Sequence, residues 1–299
     1  MTALEIRRPS PVKLWVMAAR PKTLSAAFVP VLVGSAVAFS HDSFVFLPAL
    51  VALLAAGLIQ IGTNFANDYF DFKSGADNED RLGPTRVTQA GLIAPEAVKR
   101  ATGLTFLLAF LIGLYLVWVG GWPVLAIGVA SILSGIAYTG GPYPLGYNGL
   151  GDLFVFLFFG LIAVATTYYV QALSWAPEAF MAALPVGFLA TAIIVVNNYR
   201  DIDTDQVAGK RTLAVRLGRK WTRRQYLALI LGSYLVPLGQ VILFEASVFL
   251  LLPLLSLPLA IKVTKEFWSK EGQALNDVLA STAKLLAIFG LLYTLGYAL

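Results

Sequence analysis

Five carboxylates crowd into residues 64–81, "NFANDYFDFKSGADNEDR": Asp68, Asp71, Asp77, Glu79 and Asp80 follow directly on an apolar run. A second stretch, "NNYRDIDTDQVAGKRT" at 197–212, repeats the arrangement. Asn67-Asp68-Tyr69-Phe70-Asp71 aligns with Asn197-Asn198-Tyr199-Arg200-Asp201, 130 residues later. Each is followed by a further acid (Asp77; Asp205) and then by basic residues (Arg81 and Arg86; Lys210 and Arg211). At helical spacing Asn64, Asn67 or Asp68, and Asp71 share one face, as do Asn197 or Asn198, Asp201 and Asp205. Each helix therefore presents a ladder of oxygens.

Both ladders fall at helix C-termini, where the macrodipole disfavours anions. Carboxylates about 4–6 Å apart repel by about 1 kcal/mol per pair in water, and by several times that when partly buried. Taken singly, each Asp reads equally well as a solvated loop residue; taken together, the set calls for a bound positive charge. Oxygen ligands of the Asp and Asn type, with no imidazole or thiolate, point to a hard cation, Mg²⁺, whose shell phosphate and water complete. Lys73, Arg86, Lys210 and Arg211 are placed to hold diphosphate oxygens, and serve equally as anchors at a membrane surface. The chain has no Cys and one His (His41), which excludes thiolate, haem and the usual zinc sites and leaves no disulfide framework.

The elements that carry these ladders belong to a membrane. Of 299 residues 58% are hydrophobic and only 13% charged, too little polar surface to cover a soluble domain. Nine apolar stretches approach the roughly 20 residues that cross a hydrocarbon core of about 30 Å: about 23–40, 44–66, 97–118, 121–138, 152–172, 179–198, 225–244, 247–262 and 279–298. Pro30, Pro185, Pro237, Pro253 and Pro258 fall in or beside them, where neighbouring helices re-satisfy the freed backbone groups. The expectation is an all-α integral membrane protein, one polytopic domain over 1–299, with acidic loops at 67–96 and 199–224. With the N-terminus inside, all 22 Lys and Arg lie on the inner side, and the outer loops hold only His41, Asp42, Glu178 and Glu245 as charged or titratable residues. This places the N-terminus in the cytoplasm and the C-terminus outside. The net charge of +5 then reads as topology and attraction to anionic lipid, not as nucleic-acid binding. Ala36-Val37-Ala38 resembles a signal-peptide cleavage site, but the apolar run is long for one and another helix follows at once. The internal repeat suggests two related halves facing a shared cavity.

Four segments carry a family resemblance: "ARPKTLSAAFVPVLVGSA" (19–36), "NDYFDFKSGADNEDRLGPTRVTQAG" (67–91), "YTGGPYPLGYNGLGD" (138–152) and "NNYRDIDTDQVAGKRTLAVRLG" (197–218). Over essentially its whole length the chain resembles the UbiA superfamily of intramembrane prenyltransferases, and within it the branch acting on 1,4-dihydroxy-2-naphthoate. The resemblance implies nine transmembrane helices in two pseudo-repeated halves around a central cavity opening to lipid, in a bacterial plasma (inner) membrane. It implies two Mg²⁺ ions held by Asn67, Asp68, Asp71, Asp201 and Asp205, and catalytic roles for Asp71, Asp77 and Asp201. A prenyl diphosphate and an aromatic acid would bind at Asn64, Lys73, Arg86, Tyr138, Asn197, Lys210 and Arg20. Tyr138, Tyr143, Tyr147, Tyr168 and Tyr169 are candidate ring faces for a prenyl cation. The implied reaction is prenyl transfer to the naphthoate with loss of its carboxylate, in menaquinone or phylloquinone synthesis; 4-hydroxybenzoate is the alternative acceptor. One departure stands out. Many members carry an acid at the position of Gly75, whereas here it comes at Asp77, which fits the naphthoate branch and leaves Asp77 open to substrate binding or proton removal. Arg20 with Lys22 either binds diphosphate or anchors the first helix, and Asp152 either orients the acceptor or caps its helix. A transporter of the same helix content would carry charges near mid-membrane, and the central parts of these helices carry none.

Overall fold

The structure is a computed structural model describing residues 9–76 and 81–299, so Asp77, Glu79 and Asp80 lie outside the described residues. Helices account for the fold, and no strand occurs among the described residues. They are α1 (Pro11–Ala19), α2 (Ser25–Ser40), α3 (Phe46–Lys73), α4 (Pro95–Gly120), α5 (Trp122–Ala137), α6 (Gly151–Ala172), α7 (Pro177–Arg200), α8 (Ile202–Val207), α9 (Leu213–Leu243), α10 (Val248–Ser269) and α11 (Leu275–Ala298). Ser10 opens α1 by accepting the Lys13 N–H, and Thr212 opens α9 by accepting that of Val215.

Seven of these, α3, α4, α6, α7, α9, α10 and α11, are long and apolar enough to span a membrane. Together α1 and α2 are apolar and long enough for one further span, but they are bent by 51° at a break between Thr23 and Ser25. Arg20 lies between them with φ 52°. With 16 residues, about 24 Å at ~1.5 Å per residue, α5 is apolar but shorter than these seven.

The centre of the bundle is α7, two-thirds of whose apolar window is buried. Its inward residues are small, with Ala179, Ala182, Ala183, Ala190 and Ala192 all at or near zero exposure. Without a hydrophobic force between helices in lipid, close packing of small residues supplies the association. Gly160 lies in the π-helical turn Leu157–Ile162 of α6, and a Cβ there would stand 2.6 Å from Gly187 Cα on α7. No larger residue fits that approach. Around this centre α3 packs on α4, α9 on α7, and α2 on α6 and α11.

Two boundaries differ from the sequence expectation, and both matter for the site. The helix expected to end near residue 66 continues to Lys73, so Asn67, Asp68 and Asp71 are helical and not part of a loop. Their polarity does not end the helix because Asp68 and Asp71 are buried at 1% and 3% exposure against polar partners. The helix expected from about 225 begins at Leu213 and is kinked at Gly218, whose φ is 73°. Between α7 and α9 the second acidic segment forms its own short helix, α8, so the expected loops 67–96 and 199–224 are partly helical.

Candidate active site

A cavity of about 1040 Å³ lies between α3, α5, α6 and α7. Its lining is polar where the last turns of α3 and α7 reach it and is otherwise largely apolar, with Leu114, Val117, Leu125, Phe154 and Phe158 among the wall residues. Eleven of the expected site residues border it: Arg20, Asn64, Asn67, Asp68, Asp71, Arg86, Tyr138, Asn197, Asp201, Asp205 and Lys210. Lys22 borders it too. The two acidic segments, distant in sequence, thus face one space.

Asp71 is the most densely contacted of the carboxylates. Tyr147 donates its phenol to Oδ1 at 2.5 Å, Arg86 donates Nη2 to Oδ2 at 3.1 Å, and Lys210 donates Nζ to Oδ1 at 3.4 Å. The same Lys210 Nζ lies 4.0 Å from Asp205 Oδ1 and 4.4 Å from the centre of the Tyr147 ring. One ammonium therefore bridges a carboxylate of each acidic segment. Asp205 is the anion least at ease there: burial raises its pKa to about 7, Lys210 opposes the rise, and the nearby Asp201 and Asp71 reinforce it.

The other ladder residues are engaged differently. Asp68 accepts the backbone N–H groups of Val87 and Thr88, one on each oxygen at 3.3 Å, and so pins the segment after the first motif against α3. Asn67 accepts the Thr139 hydroxyl at 2.9 Å. Asn64 donates to Ala19 O at 2.9 Å and to Thr23 Oγ1 at 3.3 Å, and its own carbonyl accepts Arg20 Nη2 at 3.5 Å, which ties α3 to the α1–α2 bend. Asp201 is held by its neighbour Arg200, Nε to Oδ1 at 2.8 Å and Nη2 to Oδ2 at 2.5 Å. Arg200 Nη2 also reaches Asn197 Oδ1 at 2.9 Å.

Several expected residues stand elsewhere. Lys73, on the far face of the last α3 turn, is exposed and does not line the cavity, because one residue more or fewer turns a helical side chain by about 100°. Of the five tyrosines, only Tyr138 and Tyr147 border the cavity. Tyr143 is 58% exposed; Tyr168 is buried against His41, its hydroxyl 3.0 Å from Nδ1; and Tyr169 stacks on Trp175 and donates to Gly120 O. Arg211 contributes its backbone N–H, to Tyr147 O at 2.7 Å. Asp152 does not line the cavity: Gln225 donates to it at 2.6 Å and Asn198 at 3.3 Å, joining α6, α7 and α9.

Sequence reasoning missed what Tyr147 does, having taken it only as a ring face. It also missed Asn276 at the start of α11, which borders the cavity and bonds Arg200. The "GY" turn between two basic-acidic segments was the available signal for Tyr147. A lone Asn ahead of an apolar run gives none.

Among the described residues no three acidic side chains converge closely enough to enclose a metal by themselves. The donor set still fits a hard cation. Asp71 and Asp205 already take up a positive charge between them in Lys210, and Mg²⁺ is commonly bound by one or two carboxylates with substrate phosphates completing its shell.

A chain of apolar helices with this cavity is an integral membrane protein, and the comparisons identify which kind. The profile described as the UbiA prenyltransferase family matches residues 27–296. The chain belongs to that family. It is 40% identical to the 1,4-dihydroxy-2-naphthoate octaprenyltransferase of Escherichia coli, over 99% of this chain and 97% of that one. To the protein so named in Mycobacterium tuberculosis it is 37% identical over 93% and 94%. Among solved structures, the fold matches a UbiA homolog from Aeropyrum pernix with a TM-score of 0.69, over 89% of this chain and 96% of that one, at 14% identity. It also matches a UbiA homolog from Archaeoglobus fulgidus bound to GPP and Mg²⁺, with a TM-score of 0.63 over 95% and 99%, at 15% identity.

Proposed function

We propose that the protein transfers a polyprenyl group from its diphosphate to 1,4-dihydroxy-2-naphthoate, with loss of the carboxylate, as a step in menaquinone synthesis. The observation that carries this reading is one cavity bordered both by two carboxylate-bearing helix ends and by an apolar wall that includes Phe154 and Phe158. Curated relatives matching nearly the full length bear this activity in their names.

In this reading Asn67, Asp68, Asp71, Asp201 and Asp205 would hold Mg²⁺, which would supply Lewis-acid stabilisation of the departing diphosphate. Lys210, Arg86 and Arg20 bind the diphosphate oxygens through charge-assisted hydrogen bonds. Tyr147 orients Asp71 through its hydroxyl, and the faces of Tyr138 and Tyr147 border the space in which the allylic carbon ionises. The apolar wall holds the prenyl chain and excludes water. The ring carbon bearing the carboxylate forms the new C–C bond as the allylic C–O bond breaks, the diphosphate leaves with that electron pair, and loss of CO₂ restores the aromatic ring. No oxidant is needed to reach the hydroquinone.

The same reading takes α1–α2 and α5 as crossing the bilayer, giving nine spans in two related halves, with the acidic motifs and the N-terminus cytoplasmic and the cavity open to lipid on its apolar side. The decisive assay is prenyl transfer by the purified protein in detergent, with geranylgeranyl diphosphate and either 1,4-dihydroxy-2-naphthoate or 4-hydroxybenzoate, with and without EDTA. Product from the naphthoate alone, lost with EDTA, is expected. Product from the benzoate would reassign the acceptor, and product from neither would remove the reading.

A further inference from the structure

Arg200 is 2% exposed and sits where three segments meet. Its Nε and Nη2 hold Asp201, and its Nη1 donates to Asn276 Oδ1 on α11 at 2.7 Å. The Asn276 amide is used at both ends, since its Nδ2 donates to the Leu82 carbonyl at 2.9 Å. A guanidinium can only donate and a carbonyl can only accept, so the orientation of this amide is fixed. Leu82 begins the segment that supplies Arg86 to Asp71 and the Val87 and Thr88 amides to Asp68. That segment lies tight on Arg200: a Cβ at Gly83 would stand 2.8 Å from Arg200 Nη2 and from Arg81 Nη2. One side chain on the last helix therefore touches the loop of the first acidic segment and the arginine of the second.

We propose that Asn276 is a positioning residue that sets the spacing between the two acidic segments, and through it the affinity for the metal–diphosphate group and not for the aromatic acceptor. The proposal rests on the prenyl-transfer reading above for the identity of that group. Asn276 bonds neither Asp71 nor Asp201 directly; it acts through Arg200 on one side and the Leu82 backbone on the other. Loss of its amide frees the loop end that carries Arg86, and leaves one N–H of a buried guanidinium without its acceptor. The acceptor ring has no contact to lose, because Arg200 and Leu82, the residues bonded to Asn276, do not border the cavity.

The test compares wild type with Asn276→Leu, which removes both bonds, and Asn276→Asp, which keeps the acceptor for Arg200 and removes the donor to Leu82. In metal-free protein, amide hydrogen exchange across 81–93 is expected to quicken by about tenfold in both variants. Half-saturation for Mg²⁺ with a non-cleavable prenyl thiodiphosphate, read by calorimetry, is expected to rise by about tenfold, while KM for the naphthoate stays within about twofold. Asn276→Asp is expected to keep the wild-type Tm, so a folding defect in the leucine variant does not blunt the test. Unchanged exchange in 81–93, or a loss shared equally by diphosphate and acceptor, overturns the proposal. Absence of naphthoate turnover in wild type would remove the prenyl-transfer reading, while the exchange and thiodiphosphate readouts still judge Asn276.

Discussion

The Tyr147 phenol donates a 2.5 Å hydrogen bond to Asp71 Oδ1 while the face of its ring lies under Lys210 Nζ and its backbone carbonyl accepts Arg211 N–H. A residue of the α5–α6 connection thereby touches both acidic segments. The short hydrogen bond fixes the direction in which the Asp71 carboxylate points. Tyr147→Phe removes that bond and keeps the ring. The expected outcome is a fall in kcat/KM of about 10- to 100-fold, matching roughly 1.5–3 kcal/mol for a hydrogen bond to a charged group, with Tm nearly unchanged. Steady-state kinetics beside a thermal melt check it, and wild-type kcat/KM would count against the role.

Lys73 and Lys210 separate a basic residue that merely follows the acidic ladder from one that faces the cavity. Lys210 bridges Asp71 and Asp205, whereas Lys73 is exposed on the opposite face of α3. Lys73→Ala is expected to leave KM for the prenyl diphosphate within about twofold, as surface substitutions usually do. Lys210→Ala is expected to raise it at least tenfold, by loss of charge-assisted bonds to diphosphate. Equal KM values for the two variants would break the assignment.

In the proposed reading, Asp205 is expected to make Mg²⁺ binding pH-dependent near neutrality. Its pKa is raised to about 7, chiefly by burial, so the folded metal-free protein keeps this proton in a pH range where the unfolded chain, with an ordinary carboxylate, has lost it. Stability of the metal-free protein is therefore expected to fall as pH rises from the ordinary carboxylate range toward 7, and Mg²⁺ is expected to counter the fall by binding the ionised form. The Mg²⁺ half-saturation is expected to rise by about tenfold per unit as pH drops below 7, and Asp205→Asn is expected to flatten that slope. Titrations of Mg²⁺ from pH 5.5 to 8 decide it.

Gly160→Leu tests the packing centre. Its Cβ would meet Gly187 Cα at 2.6 Å, backbone that cannot turn aside, so α6 must move from α7. Overpacking of this kind costs about 1–3 kcal/mol, and a lower Tm in detergent is expected. Gly113→Leu, where a Cβ meets nothing within 4 Å, is the control.

The ladder itself was legible because three-and-four spacing survives whether or not the helix end is known: Asn64, Asn67, Asp68 and Asp71 all reach one cavity. Where α3 ends was not legible, because Asp68 is satisfied by backbone amides nineteen and twenty residues on, a tertiary contact that periodicity does not encode. The distal tyrosines failed for a related reason. Ring content does not say which face a helix turns inward, and Tyr168 and Tyr169 turn to His41 and Trp175. Arg200 looked like one more basic residue beside an acid, yet its burial gives it a structural duty that composition hides.

The nearest charged partners of the buried acids are also near in sequence. Asp71 finds Arg86 fifteen residues on, and Asp201 finds Arg200 next to it. Lys210, 139 residues from Asp71, crosses between the two segments. Each portion of the chain thus carries its own compensating charge, so neither acidic segment depends on the other to offset Asp71 or Asp201. Lys210 then ties the two portions to each other.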